Sequence, residues 1–283
     1  MREDAAMGAD PAFPHAPLEL YGYRTVPPTA GGLAAKAHEQ CPFLGRKCRK
    51  CRKSDPSQSI GTCVVGAGGR PQVSCPSRFL DEGGIFTDVA HLLGGGDGAI
   101  WAVPEVNLPE FGSIDFMVVR GHEHEVKDFV GLEIQALDTT GSTFQGREDF
   151  YAGQMAERYK YGINWKMTAK LVLVQTAHKA PVFGAWGKKL VWILQDTLLE
   201  YLQGAFDFSG FHDEDPADTV LWYAYSLDAG ADRFQLRPTT RLSGNLGAVT
   251  SAMGAKAAAG QELLQSTVAS MLGRYPTWRP VAP

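Results

Sequence analysis

The chain has 283 residues, 44% of them hydrophobic, with 27 Lys+Arg against 31 Asp+Glu and a net charge of −4. That length suits one large domain, or one domain with a small module, and the charge leaves room only for a local DNA-binding surface. No apolar run of about 18 residues is present to span a membrane, and the N-terminus lacks the apolar core of a secretory signal, so the cytoplasm is the expected compartment.

Residues 1–40, rich in Pro, Ala and Gly, form an N-terminal extension. Within it Leu18 to Val26 suits a short strand and Gly31 to Glu39 the start of a helix. Residues 41–79 hold all five cysteines: Cys41, Cys48, Cys51, Cys63 and Cys75. In a cytosolic chain such clustering favours metal ligation over disulfides. Thiolates in tetrahedral geometry select zinc or iron. Cys48 and Cys51 form a C-x-x-C that could supply two ligands, and five cysteines leave one over. Threaded through them is R-K-C-R-K-C-R-K, with cations Arg46, Lys47, Arg49, Lys50, Arg52 and Lys53. On a metal-stapled loop these can track DNA phosphates; a solvated face, or cations drawn to the thiolates, are the alternatives. Metal binding would supply folding energy that a short loop-rich segment lacks.

Arg78 to Leu93 suits a helix broken at Gly83-Gly84 and ended by Gly94-Gly95-Gly96. That glycine run lacks the Lys-Ser/Thr of a phosphate loop. Ala99 to Val106 reads as a strand. Its Glu105 is either a further acidic group of the site or an edge-strand residue after Pro104.

The stretch from Ile114 to Ser142 carries the chemistry. I-D-F-M-V-V-R and F-V-G-L-E-I-Q-A-L, separated by a charged segment at 122–127, read as two strands of a hairpin. Residues at i and i+2 share a strand face, so Glu133 and Gln135 point the same way. The paired strand can bring Asp115 beside them. Carboxylates inside apolar runs are costly to bury unless paired or metal-bound, and two of them with a third polar group suit a divalent cation with oxygen ligands. Asp138-Thr139-Thr140-Gly141-Ser142 then suits a turn or a loop approaching a DNA backbone.

Farther on, Phe150 to Tyr161 looks helical, and Asn164 to Lys179 is a helix with Lys166 and Lys170 on one face. Lys188 to Gln195 is a buried strand, Thr197 to Gln203 a short helix and Thr219 to Leu227 another strand. This order predicts an α/β fold, a mixed central β-sheet flanked by helices, over residues 80–283. Arg233, Arg237 and Arg241 suit guanine or phosphate, though Pro238 keeps them off one helical face. Gln261 to Leu272 is an expected surface helix.

S-I-D-F-M-V-V followed by G-L-E-I-Q-A-L-D-T-T-G-S resembles the catalytic core of the PD-(D/E)xK nucleases. More narrowly it resembles the NotI-type restriction endonucleases, in which glutamine replaces the motif lysine. C-P-F-L-G-R-K-C-R-K, I-G-T-C-V-V and V-S-C-P-S-R-F resemble the four-cysteine iron-binding motif of the same enzymes, and N-W-K-x-x-A-K is similar too, less distinctively. The resemblance spans most of the chain. It implies a restriction-endonuclease-like core with Asp115, Glu133 and Gln135 as catalytic residues. It also implies iron held by Cys41, Cys48, Cys63 and Cys75, with Cys51 spare; Cys51 in place of Cys48 is the alternative, and thiolate chemistry permits zinc equally.

The mechanism expected is magnesium-dependent hydrolysis of double-stranded DNA. Asp115, Glu133 and the Ile134 carbonyl hold the ion. Gln135 cannot carry charge near neutral pH; it orients water or a phosphate oxygen, or bonds its own strand. A palindromic site, which the resemblance suggests is GC-rich, would need a homodimer, with C-terminal elements contacting DNA and the second subunit. A non-restriction nuclease of the same superfamily and an inactive metal-stapled DNA-binding protein are the competing functions.

Overall fold

In the computed structural model the described residues are 13–52, 55–109, 112–156, 158–254, 265–266 and 269–270. A small antiparallel sheet and a large mixed one organise them. The small sheet contains β1 (Pro17–Leu20) and β2 (Tyr23–Arg24); α1 (Ala30–Ala35) and the hairpin β3 (Gln40–Cys41) and β4 (Arg46–Lys47) follow; β5 (Thr62–Ala67) and β6 (Arg70–Val73) complete the order β2-β1-β5-β6. A 3-10 helix, Pro76–Gly83, and α2 (Gly84–Ala90) come next. The break between them falls at Asp81 and Glu82, which leave helical geometry, and at Gly83, whose φ of 68° is left-handed.

The large sheet contains β7 (Ala99–Leu108), β8 (Gly112–His122), β9 (Glu125–Gln135), β10 (Lys189–Gln195), β11 (His212–Asp213), β12 (Val220–Ala229) and β13 (Phe234–Gly244). Its order is β11-β13-β12-β10-β9-β8-β7. Central β10 runs parallel to both β9 and β12; the outer pairings are antiparallel. This is the α/β sheet that the element order predicts. The run K-L-V-W-I-L-Q is buried almost throughout because both faces of β10 are covered. On one face α4 (Trp165–Ala185), α5 (Asp196–Ala205) and α6 (Leu246–Ala252) cover Leu190, Trp192, Leu194 and Trp222, with the two indoles stacked at 6.1 Å. On the other, Phe79, Ile85 and Val89 cover Val118, Leu132, Val191 and Ile193.

Several expectations change. Phe150 to Tyr161 is not a helix: α3 spans Phe144–Tyr151 and ends before Gly153, at φ 69°. Tyr159 then reaches back to Asp149 at 3.0 Å, and the Tyr161 ring packs tilted against His15 at 4.6 Å, so these aromatics are placed by tertiary contacts rather than helical spacing. The helix from Asn164 does not stop at Lys179. It continues through Pro181 to Ala185, because Ala180 and Phe183 are buried against the sheet. Arg237 and Arg241 lie on strand β13, and Arg233 just precedes it. The segment Gln261 to Leu272 lies outside the described residues except at 265–266 and 269–270, which are helical.

Candidate active site

The site forms where β8 parts from β9. Their ladder ends at Phe116↔Leu132, and one step farther the antiparallel register sets Asp115 opposite Glu133. Beyond that point β9 stays paired with β10 as far as Gln135. Separation frees the Ile134 N–H, and Asp115 Oδ2 accepts it at 2.9 Å. An exposed carboxylate is thereby fixed by a backbone bond at the strand fork.

Glu133 is only 3% exposed. Burial pushes its carboxyl up to about 7 and the Asp115 charge adds to the rise, while the Lys179 ammonium opposes both. Lys179 Nζ donates to Glu133 Oε1 and, at 2.8 Å, to the Ser113 carbonyl. The second Glu133 oxygen accepts no hydrogen bond among the described residues. Gln135 is half-buried and donates Nε2 to the Ala136 carbonyl at 2.6 Å. Glu105, left-handed at φ 52°, is exposed and pairs with Arg49 at 3.1 Å.

Lys179 is the site residue that strand-based reasoning misses. A signal for it exists in the sequence. Thr168, Val172, Thr176, Lys179 and Phe183 recur at helical spacing and form the buried stripe of α4. A lysine on such a stripe needs a buried partner.

Cys41 and Cys48 lie on and just after the β3–β4 hairpin, Cys63 on β5, and Cys75 at the start of the 3-10 helix; all four are buried. Burial raises the thiol pKa of Cys41, Cys48 and Cys63, and a charge on Cys75 adds to each rise. Backbone N–H groups oppose it: those of Leu44 and Phe43 favour the Cys41 thiolate, those of Lys50 and Gly61 the Cys48 thiolate, and that of Gly22 the Cys63 thiolate. Cys51 is half-buried, and its backbone pairs with that of Ser59 in an isolated β-bridge. Four neighbouring buried sulfurs, three of them supplied with N–H donors, suit a tetrahedral thiolate-bound metal. They are not drawn into a preassembled ligand group, and no three Cys, His or carboxylate side chains among the described residues form one.

The basic run is largely engaged within the protein. Lys47 pairs with Glu39 at 3.4 Å and Arg49 with Glu105. Lys50 donates to the Ser74 carbonyl at 2.5 Å, and Arg52 lies over the Phe144 ring at 4.2 Å. Arg46 is exposed, and Lys53 lies outside the described residues. Arg49 nonetheless brings the cysteine loop to the strand beside Asp115. The later arginines are paired too, Arg233 with Asp81, Arg237 with Asp228 and Arg241 with Asp88. Lys166 and Lys170 are exposed on α4.

The chain is thus an α/β protein with a mixed sheet in which one hairpin opens over two facing carboxylates. The sequence matches the family described as restriction endonuclease NotI over residues 32–236, most of the chain, and the protein belongs to that family. It is therefore a nuclease that acts on double-stranded DNA. No curated protein matches the chain. No helix among the described residues is long and apolar enough to cross a membrane.

Proposed function

We propose that the chain is a magnesium-dependent, type II-like endonuclease that cuts double-stranded DNA within a GC-rich palindrome, as a homodimer with one subunit per half-site. The observation that carries the magnesium reading is the strand fork: Asp115 faces Glu133 in register, and one Glu133 oxygen has no partner among the described residues. Two carboxylates and the Ile134 carbonyl make an all-oxygen donor set, and waters would fill the remaining positions of a magnesium ion. The ion would activate water and stabilise charge developing on the phosphate. Asp115 and Glu133 orient that chemistry from one sheet face. The water oxygen bonds to phosphorus, a bridging P–O bond breaks, and the proton lost by the water balances the one gained by the leaving oxygen.

Cys41, Cys48, Cys63 and Cys75 would hold iron or zinc as a structural centre, stapling β3–β4 to β5 and to the start of the 3-10 helix. That staple would keep Arg46 and its neighbours beside the strand of Glu105, where they can meet phosphates. Elemental analysis of purified protein distinguishes the two metals, and a preparation with neither would remove this part of the reading.

The deciding test incubates phage DNA with magnesium and either wild type or Asp115→Ala. Discrete fragments that the variant fails to produce support the reading, and their ends give the recognition site. A metal-dependent smear would mean a non-restriction nuclease. Binding without cleavage would leave only a DNA-binding protein.

A further inference from the structure

The motif strand offers no positive charge at its Glu133–Gln135 end; its one lysine, Lys127, pairs with Asp97 at the other end. Gln135 is neutral, and its amide is donated to the Ala136 carbonyl. A cation stands at the site all the same, and it comes from the helix across the sheet face. Lys179 has a side chain only 9% exposed, and its ammonium is held by Glu133 Oε1 and the Ser113 carbonyl. It thus touches both strands of the fork on which Asp115 and Glu133 are carried.

Its position is locked by register. Phe183, one turn farther along α4, packs on Gly131, where an added Cβ would come within 2.2 Å of the ring. Gly131 and Glu133 are two residues apart on one face of β9, and Phe183 and Lys179 four apart on one face of α4. Two strand residues advance about 6.6 Å and four helical residues about 6 Å, so the antiparallel helix and strand keep step. Among the described residues no other cation has this placement. Lys166 and Lys170 are on the exposed side of α4, and Arg49 is bound to Glu105.

We propose that Lys179 is the cationic donor of this active site, supplying from a helix the charge that Gln135 has removed from the strand. This rests on the nuclease reading above. With Asp115 and Glu133 holding a metal, the Lys179 ammonium would be free to donate to a non-bridging phosphate oxygen or to the attacking water. It offsets two carboxylates that would otherwise repel the phosphate. The ammonium orients and neutralises, and transfers nothing.

The test compares wild type, Lys179→Met and Lys179→Met/Gln135→Lys. Single-turnover cleavage should fall about 10²-fold or more in Lys179→Met, the scale of one lost electrostatic donor. Calcium affinity, measured by calorimetry without DNA at a pH high enough to keep Glu133 ionised, should hold or rise, because Glu133 has lost a competitor. The double variant, with the charge back on the strand, should regain about tenfold or more of the rate. Unchanged cleavage in Lys179→Met overturns the proposal, as does a double variant that binds calcium and melts normally yet regains nothing. Joint loss of calcium binding and folding in both variants would assign Lys179 a purely structural role. If Lys179→Met alone melts too low to assay, Lys179→Arg takes its place, with retained cleavage expected and loss in a folded protein overturning. A wild type inert on all DNA removes the nuclease reading and this proposal with it; an active wild type matched by Lys179→Met removes this proposal alone.

Discussion

Glu19 and Glu133 are both buried strand carboxylates with a cation beside them, yet their surroundings differ. Glu19, on β1, is ion-paired with the Arg78 guanidinium at 2.8 Å through one oxygen, without hydrogen-bond alignment, and accepts the Phe234 N–H at 3.1 Å through the other. Arg78 spends its remaining donors on Asp81 and the Phe234 carbonyl and stacks over Phe43 at 4.8 Å. Glu133 has one oxygen on Lys179 and the other without a partner among the described residues, with Asp115 facing it. Burial pushes both carboxyls up, against the pull of Arg78 in one case and Lys179 in the other. Burial therefore does not distinguish a structural pair from a site; saturation does. A carboxylate with both oxygens committed ties β1 to the 3-10 helix and β13. One with a spare oxygen beside a second carboxylate can accept a ligand.

The sharpest test of that contrast is Asp115→Asn. It keeps an acceptor for the Ile134 N–H but loses the charge. Cleavage should drop by about 10³-fold or more, with no shift in the melting temperature. A comparable loss of stability would place Asp115 with the structural pair.

Arg78→Met should do the reverse. It strands Glu19 in a fully buried position, and removing one partner of such a pair costs about 3–5 kcal/mol. Chemical denaturation would read this directly. An effect below about 1 kcal/mol, the scale of an exposed pair, would show that Glu19 relaxes to solvent. Lys179→Met should destabilise less, since Glu133 can protonate near neutral pH.

The cysteines allow a third comparison. Cys63→Ser removes a buried sulfur at the junction of β1 and β5, and should release the metal and lower the melting temperature; Cys51→Ser should leave both unchanged. Metal loss from Cys51→Ser with retention in the Cys48→Ser variant would exchange the two assignments. The smallest effect belongs to the exposed loop. Arg46→Ala should reduce the salt dependence of DNA binding by about one unit of slope and weaken all sequences alike. An unchanged slope would mean that Arg46 meets no phosphate.

Much of the site was legible in local sequence. Asp115 and Glu133 stand out because they are acidic within apolar runs, and the strand of Lys188 to Gln195 because it is apolar without alternation. Cysteine clustering marks the second region in the same way. Lys179 was harder: its position on a buried stripe is visible only once α4 is known to continue to Phe183. The segment after Phe150 misled because aromatics at irregular spacing resemble a helix face until their partners, Asp149 and His15, are known.

The sequence by itself determined the sheet's central strands, the hairpin and the carboxylate pair, since these follow from periodicity and the apolar context of neighbouring residues. Only the tertiary structure decided which cation faces Glu133, which arginines are consumed in ion pairs and which buried carboxylate stays open. Those depend on contacts between residues far apart in the chain: Lys179 with Glu133, Arg78 with Glu19, Arg241 with Asp88. Local patterning fixes which face a side chain presents; its partner is fixed by how helices and strands pack, here by a glycine at 131 that lets Phe183 approach and sets Lys179 over the site.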